Sequence, residues 1–160
     1  MRSRLFAATL AALVFCLVFS VSDSPATAKA PLSVNKALFA RQVQTFGIYT
    51  EESSNRFNMG AQTVMYAEIG NFTLKRKGEF FNLDLIVDVM IQDAEGEELM
   101  KQEGVIAFDS AFKSEVHDLF FTIDLPFEGW PPGIYNVRLT VNDNFADETA
   151  YVDLPVEIFE

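Results

Sequence analysis

The stretch from Phe80 to Asp93 constrains the fold more than any other part of the chain. Phe81, Leu83, Leu85, Val87, Val89 and Ile91 occupy one parity and are all apolar. Phe80, Asn82, Asp84, Ile86, Asp88, Met90 and Gln92 occupy the other, which is mixed. Sustained period-two alternation predicts a strand buried on one face. A helix would set Asp84 and Asp88 among apolar neighbours, and the β-branched and aromatic content favours a pleated surface.

Further runs of the same kind follow. Asp93-Ala94-Glu95-Gly96-Glu97 reads as a hairpin-like turn with Gly96 at its left-handed position. Glu98 to Phe108 is the expected return strand, with a weaker pattern, and Asp109 to Glu115 the expected loop. His117 to Leu125 alternates, with Leu119, Phe121, Ile123 and Leu125 on one face. Pro126 to Gly133 holds three prolines and two glycines and is a non-strand connection. Ile134 to Asn142 places Tyr135, Val137, Leu139 and Val141 inward. Asn142-Asp143-Asn144 turns the chain, and Ala150 to Ile158 closes it with Ala150, Val152, Leu154, Val156 and Ile158 on the buried parity. Pro155 lacks a ladder donor, so that strand should be an edge there. Upstream, Gln42 to Thr50 and Gln62 to Phe72 supply two more strands. In the second, Met65, Ala67 and Ile69 compete with Val64 and Tyr66 for the inward parity. About seven strands with turn signals at intervals of roughly 8–12 residues, and no helical period, predict an all-β, antiparallel two-sheet sandwich.

The N-terminus reads differently. Arg2 and Arg4 precede an apolar run from Leu5 to Val21, and Ala26-Thr27-Ala28 offers a small-x-small cleavage site. Residues 1–28 are therefore expected to be a cleaved signal peptide, and residues 29–40, which contain Pro31, an exposed lead-in to a domain at 41–160. Phe15 precedes Cys16, where lipoprotein processing needs a small residue, so a lipid anchor is rejected. Cleavage removes Arg2, Arg4 and Asp23, so Lys plus Arg falls from 12 to 10 and Asp plus Glu from 23 to 22. The remaining chain carries a net charge of −12 and no Cys. It is expected to be periplasmic or secreted, without a stable membrane span after cleavage and without disulfides. Its acidity argues against nucleic acid, which needs clustered Lys and Arg; the Lys75-Arg76-Lys77 run is too short to supply them. Sixteen Phe against four Tyr and one Trp fit a sandwich whose sheets, about 10 Å apart, must be filled without disulfides.

Pro132-Gly133-Ile134-Tyr135-Asn136-Val137-Arg138-Leu139-Thr140-Val141 resembles the PG-x-Y-x-L-x-V strand of bacterial extracytoplasmic immunoglobulin-like and fibronectin-III-like domains. Val64 to Phe72 also resembles a segment of exported proteins of that type. The resemblance implies an immunoglobulin-like sandwich, and a tyrosine corner in which the Tyr135 hydroxyl bonds back to upstream backbone near the preceding loop. It says little of function, because sandwiches host many roles. The Cys–Trp–Cys pattern of antibody domains is absent.

Candidate sites are few. The single His117, beside Asp118, would need Ser110 or Ser114 as a nucleophile, and no nucleophile elbow surrounds either. No catalytic residues are assigned. Zinc lacks ligands. Calcium is the one cofactor considered, through Asp143, Asp147 and Glu148 in one turn and Asp93, Glu95, Glu97 and Glu98 in another, because hard cations take several oxygen ligands from a flexible loop. The loop-end aromatics Trp130, Phe127, Phe145 and Phe112 are the candidate binding residues, since exposed rings bind sugars or proteins. Arg138 is expected to contact Asp84 or Asp88. The leading expectation is a non-enzymatic exported domain that binds another envelope protein. A calcium- or carbohydrate-binding module and, more remotely, a hydrolase using His117 are the alternatives.

Overall fold

The computed structural model describes residues 29–160, so the expected signal peptide lies outside the described residues. Ten strands follow in order: β1 (Ser33–Thr45), β2 (Ile48–Glu51), β3 (Arg56–Asn58), β4 (Gln62–Gly70), β5 (Lys75–Lys77), β6 (Phe80–Asp93), β7 (Glu98–Phe112), β8 (Asp118–Pro126), β9 (Gly133–Asp143) and β10 (Glu148–Phe159). They form two sheets. One runs β2-β1-β4-β8; the other runs β3-β10-β9-β6, with β7 and the short β5 both paired to β6. All pairings are antiparallel except β3 with β10.

The core lies between the sheets. Phe39, Met65 and Ile69 from one sheet meet Leu83, Leu85, Val87 and Leu139 from the other, all essentially inaccessible. The parities of β6 and β9 are those the sequence predicts: Leu83 to Ile91 and Tyr135 to Val141 are buried on alternate positions. In β10, Leu154, Val156 and Ile158 are buried. In β4 the inward set is Thr63, Met65, Ala67 and Ile69. Tyr66, on the other face, is buried as well. Tyr49 and Phe120 cover its ring, and its hydroxyl accepts the Gly47 N–H at 2.8 Å and donates to Glu68 at 2.8 Å. Burial raises the Tyr66 pKa above its usual value.

Pro155 sits where β10 has a neighbour on one side only, because β3 pairs with β10 from Glu157 onward. The Glu157 N–H bonds the Asn55 carbonyl on that far side. Two residues earlier, the imide nitrogen of Pro155 faces the same open edge, where no donor is missed.

Several expectations need correction. Residues 29–40 are not an exposed lead-in: from Ser33 they belong to β1, with Leu32, Phe39 and Ala40 buried. A register shift between Val34 and Lys36 breaks the period-two pattern there. Gln42 to Thr50 is not one strand; the chain turns at Phe46-Gly47, where Gly47 adopts φ 67°. The expected loop from Asp109 is strand through Phe112. Arg138 does not contact Asp84 or Asp88. Asp153 lies directly opposite it across β9–β10, and the guanidinium makes two hydrogen bonds of 2.8 Å to that carboxylate. Asp84 accepts from Asn144, while Asp88 accepts from Asn142 and the Gly104 amide.

Candidate functional site

The connection from Pro126 to Gly133 borders a groove through Gly129, Trp130 and Pro131. Its backbone is pinned at Phe127, whose N–H bonds the Ala61 carbonyl at 2.9 Å and whose carbonyl accepts from Gly60 and Trp130. Gly129 supplies φ 79°, a left-handed turn that a side chain would strain. The Tyr135 hydroxyl donates to the Pro131 carbonyl at 2.7 Å, four residues upstream, the back-bond of a tyrosine corner.

These constraints line up a run of rings. Phe39 meets Phe57 at 5.3 Å between centroids, Phe57 meets Phe127 at 5.0 Å, Phe127 meets Trp130 at 5.1 Å and Trp130 meets Tyr135 at 5.2 Å. Trp130 is the half-buried member that reaches a groove of about 200 Å³, lined by Ile91, Leu99, Met100, Trp130, Pro131 and Tyr135. Leu99 is 54% exposed and Met100 46%. Ile91 pairs with Met100 while Gln92 pairs with Glu98, which leaves Leu99 as an extra residue in β7. Such a bulge re-aims side chains, here turning two consecutive apolar residues to one groove. Glu98 and Glu128, next in sequence to the lining residues Leu99 and Gly129, are exposed, as is Glu97 before them. Lys101 is bonded to Glu103 at 2.6 Å, which raises its pKa.

The four candidate aromatics do not share one platform. Phe127 is fully buried and is core, a correction to its expected exposure. Phe112 ends β7, opposite Phe81 at the start of β6. Phe145 lies in the turn after Asp143, which pairs with Leu85, and is half-buried with the Lys75 ammonium 4.5 Å from its ring. Phe112 and Phe145 thus sit at the end of β6 away from Trp130. Trp130 alone of the four borders the groove. Leu99 and Met100 were not candidates; their sequence signal was only two apolar residues inside the charged run Glu97 to Glu103.

The acidic turn is taken up by the protein itself. Asp143, 1% exposed, accepts the N–H groups of Phe145 and Ala146 on one oxygen and of Thr73 on the other. Glu148 accepts the Leu32 N–H at 2.8 Å. Asp147 adopts φ 57° and donates its N–H to the Asp143 carbonyl. Among the described residues no three His, Cys, Asp or Glu side chains are grouped to hold a metal ion. In the other turn, Asp93 accepts the Glu95 and Glu97 amides, and Gly96 has φ 85°. The His117 side chain is 79% exposed, with Glu115 4.0 Å away.

No protein-family model and no curated protein matches the sequence. Solved structures do resemble the fold. The C-terminal domain of wzt is 12% identical, with a TM-score of 0.51 over 81% of this chain and 74% of that one. The alkylpurine DNA glycosylase AlkC of Pseudomonas fluorescens, bound to DNA containing an abasic site analog, is 12% identical, with a TM-score of 0.50 over 82% of this chain. This chain spans only 31% of that enzyme. At such identity these likenesses establish the β-sandwich and nothing of the chemistry.

Proposed function

We propose that this chain is an exported, non-enzymatic immunoglobulin-like sandwich that binds another protein of a bacterial cell envelope, with an apolar side chain of the partner seated beside Trp130. One observation carries the reading. Leu99 and Met100, each about half exposed, flank a groove floored by Trp130 and Tyr135, with carboxylates next to it in sequence. An exposed apolar patch rimmed by polar residues is the usual mark of a protein-binding surface. Tryptophan and tyrosine carry much of the energy in such contacts. The signal-like N-terminus supports the compartment.

The test is a photoreactive side chain placed at Leu99 in cells and, as a control, at Ile134, which is 62% exposed and outside the groove. The expected result is one discrete adduct from position 99, absent from 134 and lost in Met100→Asp. The purified partner should then shift the fluorescence of Trp130. Equal adducts from both positions, or none from 99, would sink the proposal.

A further inference from the structure

The two long flanks of the sandwich differ in how they are closed. On one, β3 pairs with β10 in the second sheet while its Phe57 packs against Phe39 of β1 in the first. That short strand covers the gap between the sheets. On the other flank, β7 and β8 are the outermost strands of their sheets, and Phe108 and Phe121 meet across them at 6.1 Å. No strand among the described residues covers this side. Ile106, Phe108, Phe112, Leu119 and Ile123 along it are only half-buried.

The edge of β7 is shaped to accept a strand. From Phe81↔Phe112 to Val87↔Ile106 its register with β6 is unbroken. The Asn144 N–H bonds the Asp84 carbonyl on the β9 side of β6, and the Asp93 N–H bonds the Glu97 carbonyl on the β7 side. Odd residues of β6 therefore bond β7, and their partners in β7 are the even ones. Ala107, Asp109 and Ala111 turn their N–H and carbonyl groups outward, on an exposed edge with two small side chains. The irregularities of β7 all lie before Ile106, so they do not blunt this half.

We infer that the β7 edge, from Ile106 to Phe112, receives by strand addition an extended segment of another protein in which apolar and basic side chains alternate. Main-chain bonds to Ala107, Asp109 and Ala111 hold it. One of its faces covers Phe108, Phe112 and the β8 lip; the other meets Asp109, for which a cross-strand cation is the favourable partner. Asp109, Asp118 and Asp124 are exposed on the two edge strands, Lys113, Glu115 and His117 lie in the loop that joins them, Lys29 lines one cavity with Glu115 and Arg41 another with Asp124, and the chain as a whole is at −11. That charge disfavours a second copy of the chain as the occupant. The inference is independent of the Trp130 groove, which lies beside the other end of β7.

The probe is a synthetic peptide alternating Val and Lys, added to the protein while backbone amides are followed by NMR. The amides of Ala107, Asp109 and Ala111 should become protected from exchange. Ala111→Pro removes only an outward donor, as Pro155 does naturally in β10, and Asp109→Lys reverses the charge without touching the ladder. Each should weaken binding by about tenfold or more, and Leu99→Asp should leave it unchanged. Protection elsewhere, full affinity in either variant, or equal binding of a Val/Glu peptide would overturn the inference. So would protection of these amides by dimerisation without peptide, because the occupant would then be the chain itself.

Discussion

The two flanks use similar residues to different ends. Along the closed flank, Cα atoms of β1 and β10 come within 8 Å. The Leu32 N–H reaches Glu148 across the sheets, and the Met59 N–H bonds the Phe159 carbonyl at 2.7 Å. Phe39 is 1% exposed and Phe57 7%. Along the open flank the rings are equally large, but Phe108 and Phe112 stay half-buried. What closes a flank is a chain segment that pairs with one sheet and packs on the other, as β3 does; apolar content alone leaves a seam.

The largest expected effect tests that contrast directly. Phe39→Ala should cost about 3–5 kcal/mol of stability, the range for a buried aromatic whose cavity is walled by two sheets. Phe108→Ala, already part-solvated and free to relax, should cost less than about 2 kcal/mol. Urea unfolding of both variants measures the difference. Equal losses would mean that the β7–β8 flank is as closed as the other.

Regular ladders were legible in the sequence and irregular ones were not. In β6, β9 and β10 residues alternate between the inner and the outer face, so parity alone places Leu83 to Ile91, Tyr135 to Val141 and Leu154 to Ile158, with Ala150 and Val152 half-buried on the same parity. The shift between Val34 and Lys36 hides β1, and the shift at Leu99 hides half of the groove, because a bulge puts neighbouring side chains on one face. Trp130 was visible from its Gly and Pro neighbours, whereas the burial of Phe127 depends on the Ala61 and Gly60 contacts that local pattern does not encode. The partner of Arg138 depends on strand order and register. Asp84 and Asp88 are on the adjacent strand, but Met90, not either Asp, stands opposite Arg138.

A middle-sized effect separates the flanks through polar groups. Glu148→Ala leaves the part-buried Leu32 N–H without its acceptor and should cost about 1–2 kcal/mol, since a hydrogen bond to a charged group is lost. Asp109→Ala on the open flank removes a solvated carboxylate and should change stability by less than about 0.5 kcal/mol. Thermal unfolding of the pair sharpens the comparison. A larger loss at Asp109 would reveal a structural role for the open edge.

The smallest effect lies on the outer face of the second sheet, where β10 of the closed flank is tied to β9. Hydrogen bonds from Arg138, with a further one from Asn136, hold the Asp153 carboxyl below its usual pKa despite partial burial. The guanidinium stays charged throughout, and Tyr151 lies 4.8 Å from it. A carboxyl whose folded pKa is depressed contributes stability above its unfolded pKa, and that contribution is lost as pH falls through the folded value. About a third of each side chain is exposed, so the contribution is at most about 1 kcal/mol. Asp153→Asn should therefore lower the melting temperature slightly at neutral pH, and the difference from the parent should vanish once the medium is acidic enough to protonate Asp153. A difference that persisted in strong acid would assign the loss to packing against Asn136 and Tyr151 and not to the charge.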